Sequence, residues 1–229
     1  MCGRFTLATP VEDLVKQFSI TDVSGVEARY NIAPSQAVAA VRAEKENGGR
    51  ELVLLQWGLI PFWADDPKIG YKMINARAET VDKSNAFRYA FQKRRCLVLA
   101  DGFYEWRTEN GQKQPYYIKM KDGKVFGFAG LWEFWKDKED EERAVESCTI
   151  ITTDSNELVR PVHPRMPAII HPDHYDLWLA LDVNDTTRLK ELITRPFPPE
   201  EMAMYAVSRR VNRPDQEGCE LVEPLPAEE

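Results

Sequence analysis

Residues 96–131 read CLVLADGFYEWRTENGQKQPYYIKMKDGKVFGFAGL, and the fold class turns on them. Cys96–Ala100 is an unbroken apolar run, the pattern of a strand covered on both faces. Gly102–Trp106 follows at once, Asn110-Gly111 is a tight-turn dipeptide, and Tyr116–Met120 is the expected return strand. Lys121-Asp122-Gly123 turns the chain again, into a long strand across Val125–Leu131 or beyond. Successive strands joined by turns this short pair antiparallel. Upstream, Ala37–Ala43 and Glu51–Trp57 flank Asn47-Gly48-Gly49 as another hairpin; downstream, Val145–Thr153 and Met204–Ser208 read as strands.

Helical spacing is confined to the margins. Thr9-Pro10-Val11-Glu12 reads as a capping box opening a helix to Phe18, and residues 19–35 are loop-like. A helix is expected near Asn85–Arg95 with Ser84 as N-cap, and others at Ser155–Val159, Pro172–Ala180 and Thr186–Thr194. The expected architecture is α+β: a single domain over residues 2–222 whose mostly antiparallel sheet curls into a barrel, with peripheral helices. Residues 223–229 are expected to form an acidic, disordered tail.

Composition narrows the function classes. The chain has 229 residues, 43% of them hydrophobic, which suits a soluble globular protein. It has no apolar run long enough for a membrane span and no charged-then-apolar leader, so a cytoplasmic location is expected. Cys2, Cys96, Cys148 and Cys219 are widely spaced with no CxxC pair, which argues against a zinc site and suits a reducing compartment. His171 and His174 form an HxxH pair without an evident third ligand and read as structural. The net charge of −7 would argue against nucleic acid, but the acids are concentrated. Residues 133–146 hold seven acids against three bases and residues 215–229 hold six against none, so the remaining body is net positive.

The residues with chemical promise are few. If Met1 is trimmed before the small Cys2, the cysteine carries an α-amine and a thiol on one carbon, a pair able to add twice to an aldehyde. The bland reading is a buried small hydrophobe. Glu105 is either a solvated strand position or a desolvated acid able to shuttle protons. His163 lies in RPVHPRMP (160–167), where three prolines hold the segment out of helix. It is either a surface histidine or, beside Arg165, part of an anion site. Asn75 and Arg77 alternate along an extended stretch and share a face; Asn75 either caps a turn or bridges a ligand. In the proline-bent GLIPFWADD (58–66), Ile60, Phe62 and Trp63 either fold inward or form an exposed stacking surface.

Six stretches together carry a family resemblance: MCGRF at 1–5, RYNIAP at 29–34, WGLIPFW at 57–63, INARAET at 74–80, ADGFYEW at 100–106 and HPRMP at 163–167. In that order, and spanning nearly the whole chain, they resemble the SRAP family, the SOS-response-associated peptidases understood as abasic-site-processing proteins. The resemblance implies that Cys2, freed of Met1, cross-links to an abasic site in single-stranded DNA as a thiazolidine. Asn75 would position the opened sugar, Glu105 would move protons, and His163 would assist ring opening and reversal. Arg4, Pro34, Trp63, Arg77, Arg165, Ser208, Arg209 and Arg210 would contact DNA. A β-eliminating lyase side activity and autoproteolysis are further implications, and no cofactor is required. The expected partner is single-stranded DNA, and the protein is expected to be a monomer that joins the nucleoid when bound. The family often has two tryptophans at the wedge; Phe62-Trp63 here leaves the preference for single-strand/double-strand junctions open. Met-Cys-Gly also opens the class II glutamine amidotransferases, so an N-terminal-nucleophile hydrolase is the rival, and a non-catalytic single-strand binder is the third class.

Overall fold

Asn110 and Gly111, at φ 48° and 76°, make the two-residue turn whose backbone twist suits a hairpin. They join β7 (Gly102–Glu109) to β8 (Gln112–Met120) in unbroken register from Glu109↔Gln112 to Gly102↔Lys119. Both strands are longer than the aromatic runs suggest, because the turn lets pairing start at Gln112 rather than Tyr116. The computed structural model describes residues 2–21, 24–44, 48–140, 142–183 and 185–226.

The other strands are β1 (Phe5–Leu7), β2 (Arg29–Ile32), β3 (Ala37–Ala43), β4 (Arg50–Trp57), β5 (Asn75–Arg77), β6 (Arg95–Ala100), β9 (Phe126–Lys136), β10 (Ala144–Asp154), β11 (Arg165–Pro167), β12 (Ile169–Ile170) and β13 (Met202–Ala206). Strands β3, β4, β10, β9 and β6 close on one another as a five-stranded barrel. All its pairings are antiparallel except β4 with β10. A second, open sheet runs β13-β8-β7-β1-β2. Barrel closure removes the sheet edges that otherwise invite aggregation. The α+β expectation with a barrel-like core therefore holds.

Phe5 joins the two sheets. It is fully buried, edge-on to Trp57 at 5.1 Å and to Phe128 at 5.7 Å, so β1 is sealed onto the barrel. Gly102, opposite Thr6 in β1, has no side chain for a packing reason. A Cβ there would fall 2.1 Å from the ring of Tyr117, whose hydroxyl hydrogen-bonds Thr6 at 2.8 Å.

Several local expectations need correction. Helix α1 (Val11–Phe18) is capped by Pro10 without a side-chain bond, because the Thr9 hydroxyl donates to Asp101 instead, so there is no capping box. Residues 29–32 are strand β2 rather than loop, held against β1. Helix α2 is only Arg88–Lys93, and Ser84 offers its carbonyl, not its hydroxyl, to Phe87 and Arg88. Residues 155–163 form turns, since the Asn156 side chain accepts from Val159 N and ends the run after one loop of chain. The expected helix at 172–180 splits into a 3-10 turn (Pro172–His174) and α3 (Tyr175–Leu179), while α4 spans Thr186–Thr194 as read. His171 caps that 3-10 turn, accepting from Asp173 N, and stacks on Phe197. Asn47 lies outside the described residues, but Glu44 N still bonds Gly49 O across the hairpin end. The tail boundary moves too: Pro224 bridges Val207, and Leu225 N bonds Ala206 O. Only Ala227, Glu228 and Glu229 of that stretch lie outside the described residues. No helix among the described residues is long and apolar enough to cross a membrane.

Candidate active site

The seal at Phe5 places Cys2. Phe5 pairs with Phe103, and Tyr104 N bonds Arg4 O at 3.0 Å, so residues 2–4 run alongside 104–106. Trp57 extends the same logic to Asn75: its indole donates to Ile74 O at 2.9 Å, and β5 pairs parallel with β10 through Ile150↔Asn75. Asn75 Nδ2 then donates to Cys2 O at 2.8 Å. Its Oδ1 is buried with no hydrogen-bond partner among the described residues, an acceptor left over for something else.

Cys2 is wholly buried. Burial, with the neighbouring Glu105 carboxylate, pushes its thiol well above the ordinary range, and the hydrogen bond from Arg4 N–H offsets only part of this. Glu105 is 2% exposed, and burial raises its carboxyl to about 7. The desolvated reading of Glu105 is therefore the one the fold realises. A carboxyl at that value is present in both protonation states at neutral pH.

Glu105 opens onto a cleft of about 470 Å³ lined by Arg4, Trp106, Lys113, His163 and Asn212. His163 is half-buried, and its Nδ1 lies 3.0 Å from Arg165 N and 2.9 Å from Arg165 O. Burial lowers its proton affinity below the ordinary value, and the positive Lys113 and Arg165 add to that. Arg4 is a cation with neutral hydrogen-bond partners: Nη1 donates to Asn31 Oδ1 at 2.6 Å and to Val211 O at 2.9 Å. Its Nε is buried with no partner among the described residues. A half-buried guanidinium so placed attracts an anion.

Glu105, His163 and Arg4 line the cleft, and Cys2 lies buried beside Glu105 with Asn75 hydrogen-bonded to its carbonyl. Ser208 caps the 3-10 turn Arg209–Asn212, which adjoins the cleft through Val211 and Asn212. Within that turn Arg209 bonds Gln114, and Arg210 pairs with Glu220 at 3.2 Å. Arg77 is exposed at the end of β5, opposite Thr152. Arg165 is already engaged by Glu79, Asp154 at 2.9 Å and Thr152 O at 2.6 Å. Trp63 and Pro34 do not line the cleft. Trp63 is 44% exposed and borders a separate groove, and Pro34 is half-buried in the turn before β3. In the wedge loop Ile60 is buried while Phe62 and Trp63 are exposed, so the two readings of that loop divide between its residues.

Sequence reasoning missed Trp106, Lys113, Asn31 and Asn212. Trp106 Nε1 donates to Asn212 Oδ1 at 2.6 Å, and Arg4 lies over its ring at 5.9 Å. Starting β8 at Gln112 was the available signal for Lys113, since it faces Thr108 across the hairpin.

The family model for SOS response associated peptidases (SRAP) matches residues 1–214. The chain is 42% identical over 227 residues to the "Abasic site processing protein YoaM" of Bacillus subtilis, covering 97% of this chain and 98% of that protein. It is 30% identical over 254 residues to the "Abasic site processing protein HMCES" of Xenopus tropicalis, covering 93% of this chain and 75% of that one. A crystal structure of a protein from Bacteroides thetaiotaomicron superposes with a TM-score of 0.87 at 27% identity, over 98% of this chain and all of that one.

Proposed function

We infer that this chain, which belongs to the SOS response associated peptidase (SRAP) family, processes abasic sites in DNA. We further propose that it does so by covalent capture through Cys2 once Met1 has been removed. The observation that carries this reading is the joint placement of Cys2, Asn75 and Glu105. The first residue of the proposed mature chain is hydrogen-bonded to an amide with a spare acceptor and lies beside a carboxyl poised near 7.

In the proposed sequence His163 assists opening of the abasic sugar to its aldehyde, and Asn75 Oδ1 accepts a hydroxyl of the opened chain. The Cys2 amine adds to the aldehyde carbon. Glu105 in its acid form protonates the carbinolamine hydroxyl, which leaves as water and yields the Schiff base. The resulting carboxylate takes the thiol proton as sulfur adds to the same carbon, closing the thiazolidine and restoring the acid. One water is lost overall, and no electrons change hands. Burial disfavours the thiolate, which gives the carboxylate its role as base. If loss of the sugar's C2′ proton outruns ring closure, the Schiff base expels the 3′ phosphate by β-elimination, breaking the C3′–O bond, so lyase activity is expected as a side reaction.

Arg4 would hold a phosphate beside the lesion, and Arg77 and the Ser208–Arg210 turn would hold others. Arg165 would join them if phosphate displaces Glu79 from its guanidinium. The test is a denaturing gel with a single-stranded oligonucleotide carrying one abasic site. A slow band that needs Met1 removal and disappears in Cys2→Ala is expected. Cys2-dependent glutamine hydrolysis without such a band would instead support the amidotransferase reading.

A further inference from the structure

We propose that Tyr89 is a nucleobase-stacking residue that completes, with Phe62 and Trp63, a three-ring surface for bases beside the lesion. It rests on the abasic-DNA reading above. Three of the exposed rings form this surface: Phe62 is 54% exposed, Trp63 44% and Tyr89 48%. Phe62 and Tyr89 meet edge to face, with centroids 6.0 Å apart at 62°. They come from different elements, the 58–66 loop and the first turn of α2, so neither is adjacent by accident of sequence.

Their placement is fixed from below. Phe62 N donates to Glu133 Oε2 at 3.2 Å, and Glu133, itself 2% exposed, bonds Arg94 at 2.5 Å. The Arg94 guanidinium in turn lies over the Tyr89 ring at 5.1 Å. A half-buried ion pair thus ties the loop to the end of α2, leaving the ring faces preorganised at little further entropic cost. Trp135 Nε1 holds the loop again at Ala64 O, 2.7 Å away.

The charges around the rings say what the surface receives. On the Trp63 side a groove of about 460 Å³ is bordered by Lys68 and Lys72, with Asp65 paired to Lys138 and Asp66 capping its own turn. On the Tyr89 side a groove of about 430 Å³ is bordered by Lys93 and Arg94, and its floor is Trp132, with Arg42 4.2 Å above the ring. Arg42 is matched by Glu51 and Glu146, and Arg94 by Glu133, so the charge in excess comes from Lys68 and Lys72, set against the Asp66 carboxylate, with exposed Arg88 beside Tyr89. Exposed rings flanked by Lys68, Lys72 and Arg88 fit a single strand of nucleic acid, whose bases stack while its phosphates meet the basic side chains.

The test is equilibrium binding of a single-stranded oligonucleotide with one uncleavable, base-free abasic analogue, to the parent protein, Tyr89→Ala and Tyr89→Phe. Tyr89→Ala should bind roughly five- to a hundredfold more weakly, with the dependence on salt unchanged, and Tyr89→Phe should bind like the parent. When the nucleotides flanking the analogue are also replaced by base-free spacers, the difference between parent and Tyr89→Ala should vanish. Parent-like binding by Tyr89→Ala, or an equal loss on the base-free oligonucleotide, overturns the proposal. Cross-linking of the parent to a true abasic site, followed separately, reports on the covalent reading whichever way Tyr89 behaves.

Discussion

At the scale of single residues, Glu105 is where fold and chemistry conflict. Burial holds its carboxyl at about 7, so the folded protein binds a proton there that the unfolded chain releases at a lower pH. The sign follows: stability falls as pH rises from about 4.5 to about 7, by on the order of 2–3 kcal/mol, as the buried group is forced to ionise. Glu105→Gln should remove that fall, and urea titrations at pH 5 and pH 8 will measure it. The same substitution should slow cross-linking by roughly 10²- to 10⁴-fold and abolish an inflection near pH 7 in the rate at saturating DNA, with affinity nearly unchanged. Loss of affinity instead would make Glu105 a packing residue. Its burial was not legible from strand alternation, since Tyr104 and Glu105 are both buried while successive residues of a half-exposed strand would alternate. β7 is covered on both faces here: Phe103 packs into the main core, and Tyr104 into a second cluster with Tyr117, Val207, Val211 and Leu221.

Among elements, the β7–β8 hairpin was the most legible, because Asn-Gly can only be read as a turn and the strands beside it are aromatic-rich. The need for glycine at 102 is a consequence of that register, which lays the Tyr117 ring across it. Gly102→Ala should therefore cost about 1–3 kcal/mol by overpacking, read as a lower urea midpoint with an unchanged slope. What no local pattern shows is the tie at Asn31. This fully buried amide accepts from Arg4 and donates to Arg213 O at 2.9 Å and Gln216 O at 2.8 Å, joining β1, β2 and the segment after Asn212 across 182 or more residues. Local propensity carries no information about such a partner. Asn31→Ala should strand two carbonyls and loosen Arg4, costing about 1–3 kcal/mol of stability and weakening DNA binding together. Thermal melts and binding on the same preparations will show whether the two effects travel together.

For the whole molecule, the barrel was legible as a class and not as a circuit. Antiparallel neighbours follow from tight turns, but the parallel contact of β4 with β10, which closes the ring, joins strands separated by β5, β6 and the hairpins between. That closure brings the residues after β4 beside β5, and so Asn75 beside Cys2. Electrostatics also operate at this scale. The chain is net −7, yet Arg4 faces the cleft with neutral partners, so DNA binding should weaken as salt rises. Arg4→Gln should flatten the slope of log K against log salt by about 0.7, the share of one phosphate on a single strand. The proposed link between Cys2 and an abasic sugar, through nitrogen and sulfur, is tested most directly by intact-mass spectrometry of the protein mixed with abasic single-stranded DNA, without added reductant. The predicted species is the chain lacking Met1 plus the oligonucleotide less one water, absent from Cys2→Ala; no such mass, or the same mass from Cys2→Ala, would contradict it.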